Sequence, residues 1–258
     1  ATLNFWNGSF QICFAGWTDF GANLSLAQSL ALGQNFPTEH PFFPGEIIRY
    51  HFLFWFQTAN LSYLGLNLVW SVNLLSLLSL MSLLILIMTF AELMFGSRVV
   101  GRIAAILFFF ASSSLSYIPF LVSKPSFRNA VGSILRSTQF LDSGYPFRGE
   151  SWGALSVDVF INQRHLISGV GILFVVLVFL VDFYGYKNST QNGEISQSNN
   201  QRRFQLPKDF RADIWALLFC GVLIGALPYW NGAIFVSALI VLGGLFVLFP
   251  HRVYLASL

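Results

Sequence analysis

The stretch SVNLLSLLSLMSLLILIMTF, Ser71–Phe90, holds 20 residues without a charged side chain. At about 1.5 Å per helical residue it matches a hydrocarbon core of roughly 30 Å, so it reads as a membrane-crossing helix. Ile103–Val122 repeats the pattern with another 20 uncharged residues, and the short link Gly96–Arg102 is expected to fold the two into an antiparallel hairpin. His165–Val181 adds 17 such residues, and Ile214–Phe249 a further 36. A single helix of that last length would be about 54 Å long. Pro228-Tyr229-Trp230-Asn231-Gly232 interrupts it, so two helices joined by a tight turn are expected. The arm ending at Leu227 is short and is expected either to borrow Phe210 to Asp213, with their charges reaching for the headgroups, or to be partly shielded by protein.

Composition agrees with that reading. Only 10% of the 258 residues are charged, against roughly 25% in soluble domains. Hydrophobic types make up 55%, Phe alone occurs 29 times, and the mean hydropathy is +0.65. The expected fold class is therefore all-α: a polytopic helical membrane protein of about five transmembrane helices. A disordered chain, a disulfide scaffold and a soluble nucleic-acid binder are excluded, because the formal charge of +3 has no dense Lys/Arg cluster behind it. Cys13 and Cys220 lie far apart in unlike surroundings, so no disulfide is expected. Ala1 is preceded by neither Met nor a basic leader, as expected of a processed chain or a piece of a longer one.

The chain divides accordingly. Residues 1–67 mix aromatics with Gly, Pro and Asn and read as a loop region, with a short interfacial helix from near Asp19 to near Gly33 that brings Leu24, Ala27, Leu30 and Ala31 to one face. Residues 68–123 form the first hairpin. Residues 124–164 form a polar connection with a surface helix over Arg128–Leu141, and 165–181 form the third crossing. Residues 182–213 are expected as a flexible polar loop, and 214–258 as the last hairpin. Strict alternation puts eight of the 14 cations, Arg98, Arg102, Lys187, Arg202, Arg203, Lys208, Arg211 and Arg252, on the side with the shorter loops. The positive-inside rule makes that side cytoplasmic and leaves residues 1–67, the 124–164 connection and the Pro228 turn outside.

Asp19 is set among aromatics in Gly16-Trp17-Thr18-Asp19-Phe20, where its carboxylate serves either as a helix N-cap or as a base. Glu39, His40, Arg49, Tyr50 and His51 lie between prolines that fix the backbone and can bring them toward Asp19. A carboxylate deprotonates an acceptor hydroxyl, and Arg or protonated His holds a phosphate leaving group; alternatively Arg49 and His51 are interface anchors. Asn162, Gln163, Arg164 and His165 are four consecutive hydrogen-bonding side chains where an outer loop enters the third crossing. They read either as a phosphate clamp or as an interfacial stop. Gly221 and Gly225 form a small-xxx-small pattern for close helix packing, and Ser76, Ser79 and Ser82 read as packing or inter-helix hydrogen bonds. Motifs for phosphate loops, zinc proteolysis, dithiol chemistry and serine hydrolysis are absent. No motif therefore calls for a metal or a cofactor. Asn7-Gly8-Ser9 and Asn188-Ser189-Thr190 match the glycosylation sequon, too common a triplet to decide anything.

Trp17-Thr18-Asp19, Leu32-Gly33-Gln34-Asn35-Phe36-Pro37, His40-Pro41 and Gly45-Glu46 through Tyr50-His51-Phe52, followed by Asn162-Gln163-Arg164-His165-Leu166 and Leu227-Pro228-Tyr229-Trp230-Asn231-Gly232, are similar to segments of a group of uncharacterised bacterial and archaeal polytopic proteins. That group is usually placed among the C-type (GT-C) integral-membrane glycosyltransferases, and the order of features here resembles theirs. The resemblance implies a transferase of the prokaryotic plasma membrane that takes a sugar from a polyprenyl-phosphate carrier at the outer face, inverting, with Asp19 as base. Its partners would be membrane lipids and the lipid-linked sugar, which enters as donor substrate; no nucleic acid is implied. Members often carry a His shortly after the acid and an acid after the Tyr-x-Phe segment, where this chain has Asn23 and Trp55 or Phe56. The rival readings are a transporter or flippase for a lipid-linked or polar solute, and a non-catalytic scaffold. Cys13 tests the topology: a membrane-impermeant maleimide should label it in intact cells, and labelling only after permeabilisation would reverse the assigned orientation.

Overall fold

The computed structural model describes residues 3–12, 17–33, 35–110, 121–136, 160, 163–191 and 210–248. It is mostly helical, and the all-α expectation is corrected by two short hairpins near the N-terminus. Strands β1 (Leu3–Trp6) and β2 (Ser9–Ile12) pair antiparallel with Phe5 opposite Phe10. Asn7 and Gly8 both take positive φ, 49° and 79°, the two-residue turn whose twist matches that of paired strands. Strands β3 (Glu39–His40) and β4 (Phe43–Ile47) form the second hairpin.

Between the hairpins runs α1 (Trp17–Leu32). Its Leu24, Ala27, Leu30 and Ala31 are buried as their spacing dictates, together with Phe20 and Leu26. They pack on Phe54, Trp55 and Ala59 of α2 (Leu53–Tyr63) and on Leu68, Val69 and Val72, the first residues of α3 (Leu68–Phe95). This small core seats the N-terminal region on the start of α3. Leu3 is fully buried there, and its carbonyl accepts from Asn73 Nδ2 at 3.2 Å.

Helix α3 has 28 residues; it is capped by Asn67, whose Oδ1 accepts from Val69 N, and closed by Gly96 at φ 64°. α4 (Arg98–Phe110) turns back at once, with Glu92 and Arg98 3.1 Å apart at the corner. Gly101 of α4 is packed so tightly that a Cβ there would stand 2.7 Å from the Met88 carbonyl oxygen. Further along, Ala105 meets Ile87 and Leu83, so the two helices run antiparallel. The surface helix is α5 (Phe127–Arg136); the residues from 137 to Leu141 lie outside the described ones.

The remaining helices are α6 (Arg164–Gln191), α7 (Phe210–Trp230) and α8 (Gly232–Leu248). Arg164 is thus the first residue of a helix rather than the last of a loop. α6 continues to Gln191 and α7 begins at Phe210, so both ends of the expected flexible segment 182–213 are helical. Pro228 lies inside the last turn of α7, where it can give no hydrogen bond to the carbonyl four residues back, and the helix ends two residues on. The expected five-residue turn shrinks to Asn231, whose Oδ1 caps α8 by accepting from Ile234 N at 3.1 Å.

Helix directions follow from who meets whom. Leu173 clusters with Leu227 and Ala238, while Val176 and Leu180 cluster with Cys220, Ile224, Leu242 and Leu245. α7 therefore runs against α6, and α8 runs with it. Arg164 reaches Asn73 and Phe174 reaches Phe90, so α6 runs parallel to α3. Gly225 has open space where a Cβ would go, so the small-xxx-small pattern makes no close approach there; Gly169, whose Cβ would stand 3.5 Å from Asn231 Cβ, lies closer to its neighbour. Among the described residues, two helical segments, Leu68–Phe95 and Arg164–Asp182, are long and apolar enough to cross a membrane, and Trp215–Trp230 and Gly232–Val247 are shorter apolar helices. Along α3, Leu77, Leu78, Met81 and Ile85 stay more than half exposed.

Gly101→Ala should push α4 off α3 and lower stability by about 1–3 kcal/mol, read as a fall in thermal midpoint of the detergent-solubilised chain. Gly132→Ala, in open space on α5, should leave that midpoint unchanged or slightly raised.

Candidate functional site

The end of the bundle where α3 and α6 begin and α7 passes into α8 gathers the polar side chains. Arg164, 3% exposed, donates from Nη1 to Asn73 Oδ1 at 2.6 Å and to Ser76 Oγ at 3.3 Å. Its guanidinium stands over the Phe20 ring, 5.0 Å from the centroid, in a cation–π contact. Ser76 passes the chain on by donating to the Val72 carbonyl. Burying a guanidinium is costly unless its donors are used, and the amide and hydroxyl supplied by α3 take two bonds from Nη1.

The next residue, His165, is buried too and stacks on His51, with ring centroids 4.1 Å apart and planes at 26°. Tyr50 lies against His51 on a 3.6 Å centroid spacing, and Trp55 lies 6.4 Å from His165. His51 Nε2 and both ring nitrogens of His165 are buried without a hydrogen-bond partner among the described residues. Such groups are rare in folded proteins and mark places where a polar ligand has something to gain. Burial pushes His51 down to about 4, so its imidazole is neutral at pH 7.

In front of this column opens a cleft of about 550 Å³ lined by Ile48, Arg49, Tyr50, His51 and Gln163 on one side and by Pro228, Tyr229, Asn231, Gly232 and Ala233 on the other. A backbone hydrogen bond from Phe52 N to the Tyr229 carbonyl, 2.9 Å, ties the two sides together. Arg49 is the cleft's cation; it is exposed and 3.7 Å from Glu46. A smaller hollow of about 310 Å³, lined by His40, Phe43, Glu46, Ile47, Arg49 and Tyr50, adjoins it.

The sequence candidates thus separate. Arg49, Tyr50, His51 and Gln163 line the cleft; Arg164 and His165 stand behind it. Glu39 serves its own hairpin, with Oε2 accepting from Gly45 N and its backbone N–H donating to Asn35, and His40 Nδ1 accepts from Phe42 N. Asp19 is the third residue of α1 rather than the residue before it, so the N-cap position falls upstream; its neighbour Phe20 carries Arg164. The side chain of Asp19, and Asn162 altogether, lie outside the described residues. Sequence reasoning passed over Asn73, the lone amide in an otherwise aliphatic and hydroxylic run, and took Asn231 only as part of a break. Compared with protein-family profiles, curated proteins and solved structures, the chain matches none.

The depressed His51 value has a sign. The unfolded imidazole takes its proton near pH 6.5 and the folded one near 4, so between these values the unfolded chain binds more protons and stability is lost as the pH is lowered. The contribution is complete above pH 6.5. Thermal midpoints measured from pH 8 to pH 4 should decline below 6.5 in the native chain and decline less in His51→Gln; equal slopes would assign the effect elsewhere.

Proposed function

We propose that the chain crosses the membrane five times and transfers a sugar from a polyprenyl-phosphate carrier to an acceptor at the extracytoplasmic face, with inversion. The observation that carries this reading is the polar cleft at the shared end of α6, α7 and α8. It offers one cation, Arg49, and the neutral donors and acceptors Tyr50, His51, Gln163 and Asn231, beside apolar flanks such as Val236, Leu239 and Ile240 that stay exposed. A lipid phosphate needs that combination, a polar pocket for its head and an apolar wall for its tail. The alternating directions of α3, α4, α6, α7 and α8 support five crossings, with the cleft at the outer end by the distribution of Lys and Arg.

In the proposed reaction the Asp19 carboxylate takes the proton of the acceptor hydroxyl as its oxygen attacks the anomeric carbon. The bond from that carbon to the phosphate oxygen breaks, and the lipid phosphate departs with the electron pair, its charge met by Arg49 and by hydrogen bonds from the cleft. Arg164 and His165 act from behind as positioning residues: Arg164 holds α6 against α3, and His165 backs the ring of His51. Transport is the less favoured reading, because Pro228, the break that would suit it, lies in the final turn of α7 beside the cleft rather than at mid-helix.

Surface glycans and lipid-linked sugars should be compared by mass spectrometry in cells lacking the gene and in cells restored with the native chain, Asp19→Asn or Arg49→Gln. A sugar absent in the null and in Asp19→Asn, and reduced about tenfold or more in Arg49→Gln, is the expected outcome. An Asp19→Asn chain indistinguishable from native would reject the base, since the amide cannot take the acceptor's proton.

A further inference from the structure

Helix α5 presents two faces that the bundle does not use. Ser126 begins it, accepting from Asn129 N at its hydroxyl and from Ala130 N at its carbonyl. Ala130 is fully buried and marks the side turned inward. Phe127, Val131 and Leu135, spaced four residues apart, share a neighbouring stripe and are 74, 38 and 80% exposed. Arg128 and Arg136 are also exposed. From Val122 to Leu141 the sequence contains Lys124, Arg128 and Arg136 and no acidic residue.

We propose that α5 lies in the plane of the membrane surface and docks on anionic lipid, with Phe127, Val131 and Leu135 entering the acyl boundary while Arg128 and Arg136 meet lipid phosphates. The argument is charge complementarity. An apolar stripe that sought a protein partner has no need of arginines alone beside it, whereas a helix at an anionic interface gains from each arginine and loses from each acid. The proposal rests on the membrane reading, and not on sugar transfer.

The full chain, with Cys13→Ser and Cys220→Ala, would carry a nitrobenzoxadiazole dye on Val131→Cys and be placed in nanodiscs of phosphatidylcholine alone or with about 30 mol% phosphatidylglycerol. Lipids brominated on their acyl chains report entry into the bilayer. Quenching should be strong with phosphatidylglycerol, weaker without it, and lost from anionic discs in the Arg128→Gln/Arg136→Gln chain, whose docking constant should fall about thirtyfold. Equal quenching in both lipids, or none in either, would overturn the proposal. So would a dye shielded from brominated lipid and aqueous iodide alike, which means protein covers the stripe. The same dye on Leu78→Cys, at an exposed position of α3, should be quenched in every disc. Its failure would remove the membrane reading itself, and is thereby told apart from a failure of α5 alone.

Discussion

One buried cation organises this end of the molecule. Arg164 brings together the start of α6, the second turn of α3 and, through Phe20, the first turn of α1. Removing the guanidinium would leave Asn73 and Ser76 facing an apolar gap, and removing Asn73 would leave the charge underused; either loss is expensive in a low-dielectric interior. The N-terminal region depends on the same point, because Asn73 also donates to the Leu3 carbonyl. The first hairpin and α1 are thereby fixed on the bundle by a handful of directional contacts at its rim, over a small apolar core built from Phe20, Phe54 and Trp55.

The second constraint is the stacked column Tyr50–His51–His165–Trp55. The His51 imidazole, buried and stacked on His165, is costly to charge and stays neutral at pH 7, so the rings form an apolar-sided wall with latent polarity. Arg49 supplies the positive charge at the cleft from an exposed position, where it keeps contact with water and with Glu46. Charge in front and neutral rings behind is an arrangement that admits an anion at the mouth without burying one.

Periodicity made the long elements legible. The spacing of Leu24, Ala27, Leu30 and Ala31 announces the buried face of α1, and uncharged length announces α3, α6 and the α7–α8 pair. The errors have separate causes. Asn7-Gly8 reads as a hairpin turn only if the flanking Phe5 and Phe10 are recognised as a cross-strand pair, and a sequon interpretation hides it. Charge alone misjudged residues 182–191, where α6 runs on past its apolar stretch through residues that are mostly weak helix formers. At the site, polar residues beside an apolar run pointed to His51, Gln163, Arg164 and His165, but no local pattern reveals that Glu39 and His40 serve their own hairpin or that Asn73 waits on the facing helix for Arg164. Those are tertiary facts, decided by which helix ends share a level.

The bond from Phe52 to Tyr229 joins parts of the chain made at very different moments of synthesis. A polypeptide emerging N-terminus first can gather most of its small aromatic core, which Trp230 joins later, and pack α4 on α3, well before α7 exists. The cleft cannot be present then, because Pro228, Tyr229, Asn231, Gly232 and Ala233 form one of its walls. A nascent chain therefore carries a wall-less site until α7 and α8 arrive, and whatever the cleft binds is recognised only after they have packed.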